Sequence, residues 1–150
     1  MTISLLRSST YPAPQQDKGK HHFRYAAYPH KGGYREADTV GVAKRFCSPV
    51  RWGGSGESTT PDEAWIKSDN PHLIIDTIKP AEDGNDVIVR MYESIGSRCN
   101  ATLELASQLR SSQLSNTLED SLAPIEFDHN RICVSLRPYQ IMTLRLGVEC

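Results

Sequence analysis

Between residues 72 and 146 the chain repeats one pattern: a short run with apolar residues at every second position, closed by turn residues. Alternate side chains of a strand point to opposite faces, so each run can bury one face only, against a second sheet. "VIVRMYE" (87–93) sets Val87, Val89 and Met91 against Ile88, Arg90 and Tyr92. "NATLEL" (100–105) aligns Ala101, Leu103 and Leu105, "RICVSLRP" (131–138) aligns Ile132, Val134 and Leu136, and "YQIMTLRL" (139–146) aligns Met142, Leu144 and Leu146. "HLIIDTI" (72–78) is apolar on both faces, the pattern expected of an inner strand. Residues 109–118 are weaker and are expected as an edge strand. "AEDGND" (81–86) and "DHN" (128–130) supply turns, and Pro138 interrupts the last pair of runs. Roughly six or seven short strands with almost no helix describe an all-β protein, an antiparallel β-sandwich.

A different composition precedes this region. "WGGSGESTTPD" (52–62) is rich in Gly, Ser and Thr and ends near a proline, so it has almost nothing to bury and is expected as a linker. The chain then divides into 1–51, the linker 52–62, and a C-terminal sandwich domain, 63–150. In the first part residues 2–7 are expected as the end of a strand, and Pro12 and Pro14 break any ladder after it. Residues 21–29 are expected as a second strand, with Phe23, Tyr25 and Ala27 on one face and Arg24, Ala26 and Tyr28 on the other. "EADTVGVAKRF" (36–46) suits a short helix capped by Asp38, although Gly41 weakens it. Two strands and a helix are too little for an independent core, so the apolar faces of residues 1–51 are expected to need partners from outside this stretch.

Charge and hydropathy exclude several roles. With a net charge of −1 and scattered basic residues, no affinity for nucleic acid is expected. No apolar run approaches the roughly 20 residues of a membrane helix, and "MTISLLRSSTYP" does not have the form of a secretory signal. Cys47, Cys99, Cys133 and Cys150 form no C-x-x-C pair and sit beside no His at metal-ligand spacing, which suits reduced thiols in a cytoplasmic protein. Cys99 and Cys133 fall in strands, where a small buried apolar role fits both. Asn100-Ala101-Thr102 matches a glycosylation acceptor, but its place inside a strand argues against use.

Each candidate for chemistry has an ordinary alternative. His21 and His22 point to opposite faces of an extended chain and His30 is distant, so surface roles are expected rather than a metal site. Glu82, Asp83 and Asp86 around Gly84 lack the alternating ligand frame of a calcium loop; a hairpin turn needs only Gly84 and Asn85. Asp17, Glu36, Asp38, Glu63, Asp69 and Asp76 are carboxylates of the type glycoside hydrolysis uses in pairs, yet nothing separates a catalytic pair from solvated charge. Tyr11, Tyr25, Tyr28, Tyr34 and Trp52 are potential platforms for sugar rings, and equally ordinary sheet filling.

The segment "LLRSSTYPAPQQDKGKHHFRYAAYPHKGGYREADTV" (5–40) closely resembles a stretch late in glycoside hydrolase family 38, the retaining α-mannosidases. The positions that carry it include Leu5, Leu6, Arg7, Tyr11, Pro12, Asp17, Gly19, His21, Phe23, Tyr25, Tyr28, Pro29 and His30. "IIDTIKPAEDGNDVIVRMYES" (74–94) and "LRPYQIMTLRL" (136–146) are similar to that family's C-terminal sandwich. The resemblance covers nearly the whole chain outside the linker and is nearest to the cytosolic and bacterial branch. Ala13 departs from it, standing where the family usually has an acidic residue, and "KRFCSPVR" (44–51) follows the family only loosely.

The resemblance implies that the catalytic aspartates and zinc ligands lie in an N-terminal catalytic domain upstream of these residues. No catalytic, cofactor-binding or metal residue is therefore assigned here, and the expected partner is that catalytic domain of the same polypeptide. The His and Tyr cluster would then lie in the last strands of a large central sandwich, bracing the catalytic domain. A free-standing carbohydrate-binding module is the alternative, and it requires the aromatics to face solvent together.

Overall fold

The computed structural model describes residues 2–48 and 64–149. The linker expected at 52–62, with Trp52, Glu63 and Cys150, lies outside the described residues. Among those described, one helix, α1 (Thr39–Cys47), precedes nine strands: β1 (Ile66–Ser68), β2 (Leu73–Pro80), β3 (Val87–Glu93), β4 (Cys99–Leu105), β5 (Leu109–Ser115), β6 (Ser121–Pro124), β7 (Phe127–Asp128), β8 (Arg131–Leu136) and β9 (Ile141–Val148). They form a four-stranded sheet, β1-β4-β8-β7, and a five-stranded sheet, β2-β3-β9-β5-β6. Every pairing is antiparallel.

Register places the alternating apolar residues together. Across β4 and β8, Cys99 faces Leu136, Ala101 faces Val134 and Leu103 faces Ile132. Across β3 and β9, Val87 faces Leu146, Val89 faces Leu144 and Met91 faces Met142. These rows meet in one core, in which Val89, Met91, Leu103, Ile132, Leu144 and Leu146 are fully buried. Each such side chain contributes on the order of 1.5–3 kcal/mol of burial free energy. The expected antiparallel sandwich and its inward faces are present.

The structure corrects several expectations. Residues 2–7 and 21–29 form no strand; 2–38 hold only turns and irregular backbone. A strand must pair its N–H and C=O groups, and among the described residues no neighbour offers itself to these segments. β2 lies at the edge of its sheet, not inside it. A bulge between Ile75 and Thr77 and a close at Lys79 and Pro80 are typical protections of a free edge. Conversely, β5 is interior, paired by β9 on one side and β6 on the other. The other edge is β6, four exposed residues with no apolar alternation to reveal it. Cys99 is buried as expected, but Cys133 is exposed, because it shares the outward parity of Arg131 and Ser135 on β8.

The helix forms where Asp38 anticipates it. Asp38 is the N-cap, with Oδ1 accepting from the Gly41 N–H at 3.3 Å. Gly41 disfavours a helix by propensity, yet a Cβ there would collide with the Asp38 carboxylate. The glycine therefore admits the cap.

Candidate functional site

The residues considered for chemistry are dispersed. His21 stacks on Phe23, with centroids 5.9 Å apart, and its Nε2–H donates to the Asp17 carbonyl at 2.9 Å. His30 leans on Tyr28 at 5.4 Å. Among the described residues no group of three or more His, Cys, Asp or Glu side chains is placed to hold a metal ion.

The acidic turn at 82–86 belongs to an arginine. Arg145 donates from Nε to Asp86 Oδ2 at 2.7 Å, from Nη1 to Asp83 Oδ1 at 2.9 Å and from Nη2 to the Asp83 carbonyl at 3.0 Å. Gly84 takes a φ of +73°, as the turn requires. Asp86 and then Asp83 push the Arg145 pKa further up. Glu82 pairs with Lys79 at 2.7 Å.

The other carboxylates have local tasks. Asp69 accepts the Thr102 N–H at 2.8 Å. Asp76, set out by the β2 bulge, pairs with Lys44 of α1, and Lys44 followed by the Thr77 hydroxyl holds its carboxyl below the usual range. Asp38 caps α1 and faces Arg45 at 3.4 Å.

Two buried carboxylates, Glu93 and Glu119, were not among the candidates. Glu93 is 1% exposed at the end of β3. It accepts N–H groups from Ile95 at 2.9 Å, Gly96 at 2.7 Å and Tyr139 at 2.9 Å. Burial pushes its carboxyl up, but the backbone donors of Tyr139, Ile95, Gly96 and Ser97 outweigh that and hold it below the usual range. Parity was the available signal: Val87, Val89 and Met91 face inward, so Glu93 must as well. Its role is to tie the β3–β4 turn to the β8–β9 turn. Glu119, also buried, accepts from Lys79 at 2.6 Å and from the Glu82 N–H at 2.8 Å.

What the first segment does present is apolar surface. Ile3, Leu5, Leu6, Phe23, Tyr28 and Tyr34 are exposed, and Tyr11 and Tyr25 reach 85% and 69%. Tyr28 Oη donates to the Ala37 carbonyl at 3.1 Å, and Arg24 lies over the Phe46 ring at 4.9 Å, so this segment runs beside α1. The candidate functional feature is thus an irregular segment rich in exposed aromatics, without a strand ladder, attached to a closed sandwich.

Residues 72–144 match the glycosyl hydrolases family 38 C-terminal beta sandwich domain. The chain is 29% identical to alpha-mannosidase 2C1 of Mus musculus over 99% of its own length. It is 32% identical to the alpha-mannosidase of Saccharomyces cerevisiae over 97%, and 36% identical to alpha-mannosidase G of Dictyostelium discoideum over 63%. It spans only 15%, 16% and 9% of the length of those three relatives. No helix among the described residues is long and apolar enough to cross a membrane. Over residues 72–144, then, the chain is similar to the glycoside hydrolase family 38 C-terminal β-sandwich domain, and the two antiparallel sheets built there are consistent with that match.

Proposed function

We propose that these residues are non-catalytic C-terminal β structure of a retaining α-mannosidase, and that they support a catalytic domain elsewhere in the same polypeptide. The observation that carries this reading is the contrast between a sandwich that closes its own core and a segment, 2–34, that leaves its apolar side chains in solvent. Exposed, unpaired and aromatic-rich backbone of this kind is what a strand looks like without its sheet. The small share of the relatives' length that the chain covers supplies room for that sheet.

In the whole enzyme, the acid/base and nucleophilic carboxylates and the zinc ion would belong to the catalytic domain. The His and Tyr cluster would brace it through β pairing. Free thiols at Cys47, Cys99 and Cys133 suit a cytoplasmic setting.

The purified 150-residue chain, supplied with zinc, should not hydrolyse an aryl α-mannoside. Hydrolysis would refute the reading. So would a stop codon and a start signal immediately upstream of Met1 in the gene, where a continuous frame into an α/β domain is expected.

Exposure of Tyr11, Tyr25 and Tyr28 favours a second reading, a carbohydrate-binding module. A sugar platform needs rings held rigidly, and these rings sit on backbone without a ladder. Titration with mannose oligosaccharides, followed by tyrosine and tryptophan fluorescence, decides between them: a saturable response supports the module.

A further inference from the structure

Two irregularities of the sandwich also face residues outside it. One is the bulge in β2, which carries Asp76 outward. Bulges re-aim a side chain, and this one meets Lys44 of α1 through both the carboxylate and the backbone carbonyl, the latter at 3.3 Å. The other is Tyr139, held at a φ of +57° in the β8–β9 turn. That conformation is costly for a residue with a large side chain and persists only where the surroundings over-determine it.

Here they do. The Tyr139 N–H is fixed by the buried Glu93, whose other oxygen holds the Ile95 N–H. The Tyr139 ring lies against Gly96, where any Cβ would collide with it. Yet Tyr139 remains 61% exposed, so this support presents the phenol rather than burying it. What it meets is Tyr34, with hydroxyl oxygens 3.4 Å apart, and Arg35 donates to the same Tyr34 oxygen at 3.1 Å.

We propose that the β2 bulge and the positive-φ Tyr139 form a two-point cradle for residues 34–47 of this chain, which fixes the direction in which the N-terminal segment leaves the sandwich. Its occupant is the Tyr34–Arg35 pair at one point and Lys44 of α1 at the other. Both grips are polar and lie at the surface, so the cradle aligns the segment without contributing to the sandwich core. Alignment is a requirement distinct from activity: a joint that sets direction lets 2–33 reach a partner sheet in one orientation only.

The test is hydrogen exchange on the full chain, read by mass spectrometry, comparing wild type with Asp76→Asn, Tyr139→Phe and the double variant. Tyr139→Phe keeps the ring over Gly96 and the N–H to Glu93, and removes only the hydroxyl. Each single variant should speed exchange across 34–47 about two- to five-fold, as expected for loss of one exposed polar pair, and the double variant about tenfold. Protection in β3 and β9 should stay unchanged. Unaltered exchange across 34–47 in the double variant would overturn the cradle. Equal loss of protection in 34–47 and in β3 would overturn it too, since the grips would then be part of the sandwich's own stability.

Discussion

Residues 64–149 and residues 2–38 are both rich in apolar and aromatic side chains, but they treat them in opposite ways. In the sandwich, alternation meets alternation: Leu103 has Ile132 across the ladder and Val89 has Leu144, and all four are fully buried. In the first segment Phe23 and Tyr25 alternate with Arg24 just as cleanly, and Tyr25 is 69% exposed. The difference is not in the local pattern. It lies in whether the chain supplies a partner strand, because a strand's backbone and its apolar face are satisfied only by a neighbour. Period two therefore reports what a segment is suited to, and the partner decides what it becomes.

Substitutions can break this contrast, beginning with the core. Leu103→Ala or Leu144→Ala should cost about 2–5 kcal/mol in chemical denaturation, the usual cost of a cavity in a closed core. Glu93→Gln comes next, at about 2–3 kcal/mol, since it weakens charge-assisted bonds to three backbone N–H groups at a buried site.

Its signature is in the pH dependence. A carboxyl held below its unfolded value gives stability that is whole above about pH 4.3 and is lost as pH falls through the lower folded value. The wild type should lose its advantage over Glu93→Gln across that acid range, in denaturation curves taken from neutral pH downward. A constant difference between the two would remove Glu93 from the role given to it.

Gly96→Ala should cost about 1–3 kcal/mol, because φ is +73° there and the Tyr139 ring occupies the space. Tyr25→Ala in the first segment closes the series: its effect should stay within about 0.5 kcal/mol, as for any exposed site. A Tyr25 cost comparable to that of Leu103 would mean the first segment has a core of its own.

Much of the sandwich was legible in sequence. Val87, Val89 and Met91, and likewise Ile132, Val134 and Leu136, declared their inward faces by parity alone, and Asp38 declared the start of α1. What stayed hidden depended on partners remote in sequence. β6 is a short exposed strand, visible only through its pairing with β5. The position of β2 at an edge is a fact of topology that two apolar faces cannot convey. Arg145, some 60 residues from the acidic turn it holds, could not be read from the turn's own residues. Glu93 was within reach of the parity rule, although it was not among the candidates read from sequence. Cys133 was misplaced: its residue type suggested burial where parity assigned it to solvent.

Hydrogen exchange of the full 150-residue chain tests the contrast most directly. Amides of residues 21–29 should exchange at nearly the rate of unstructured peptide, while those of β3 and β9 exchange slowly by orders of magnitude. Slow exchange in 21–29, matching β3, would contradict the central claim: that segment would then already have its sheet within this chain, and no partner elsewhere in a longer polypeptide would be needed.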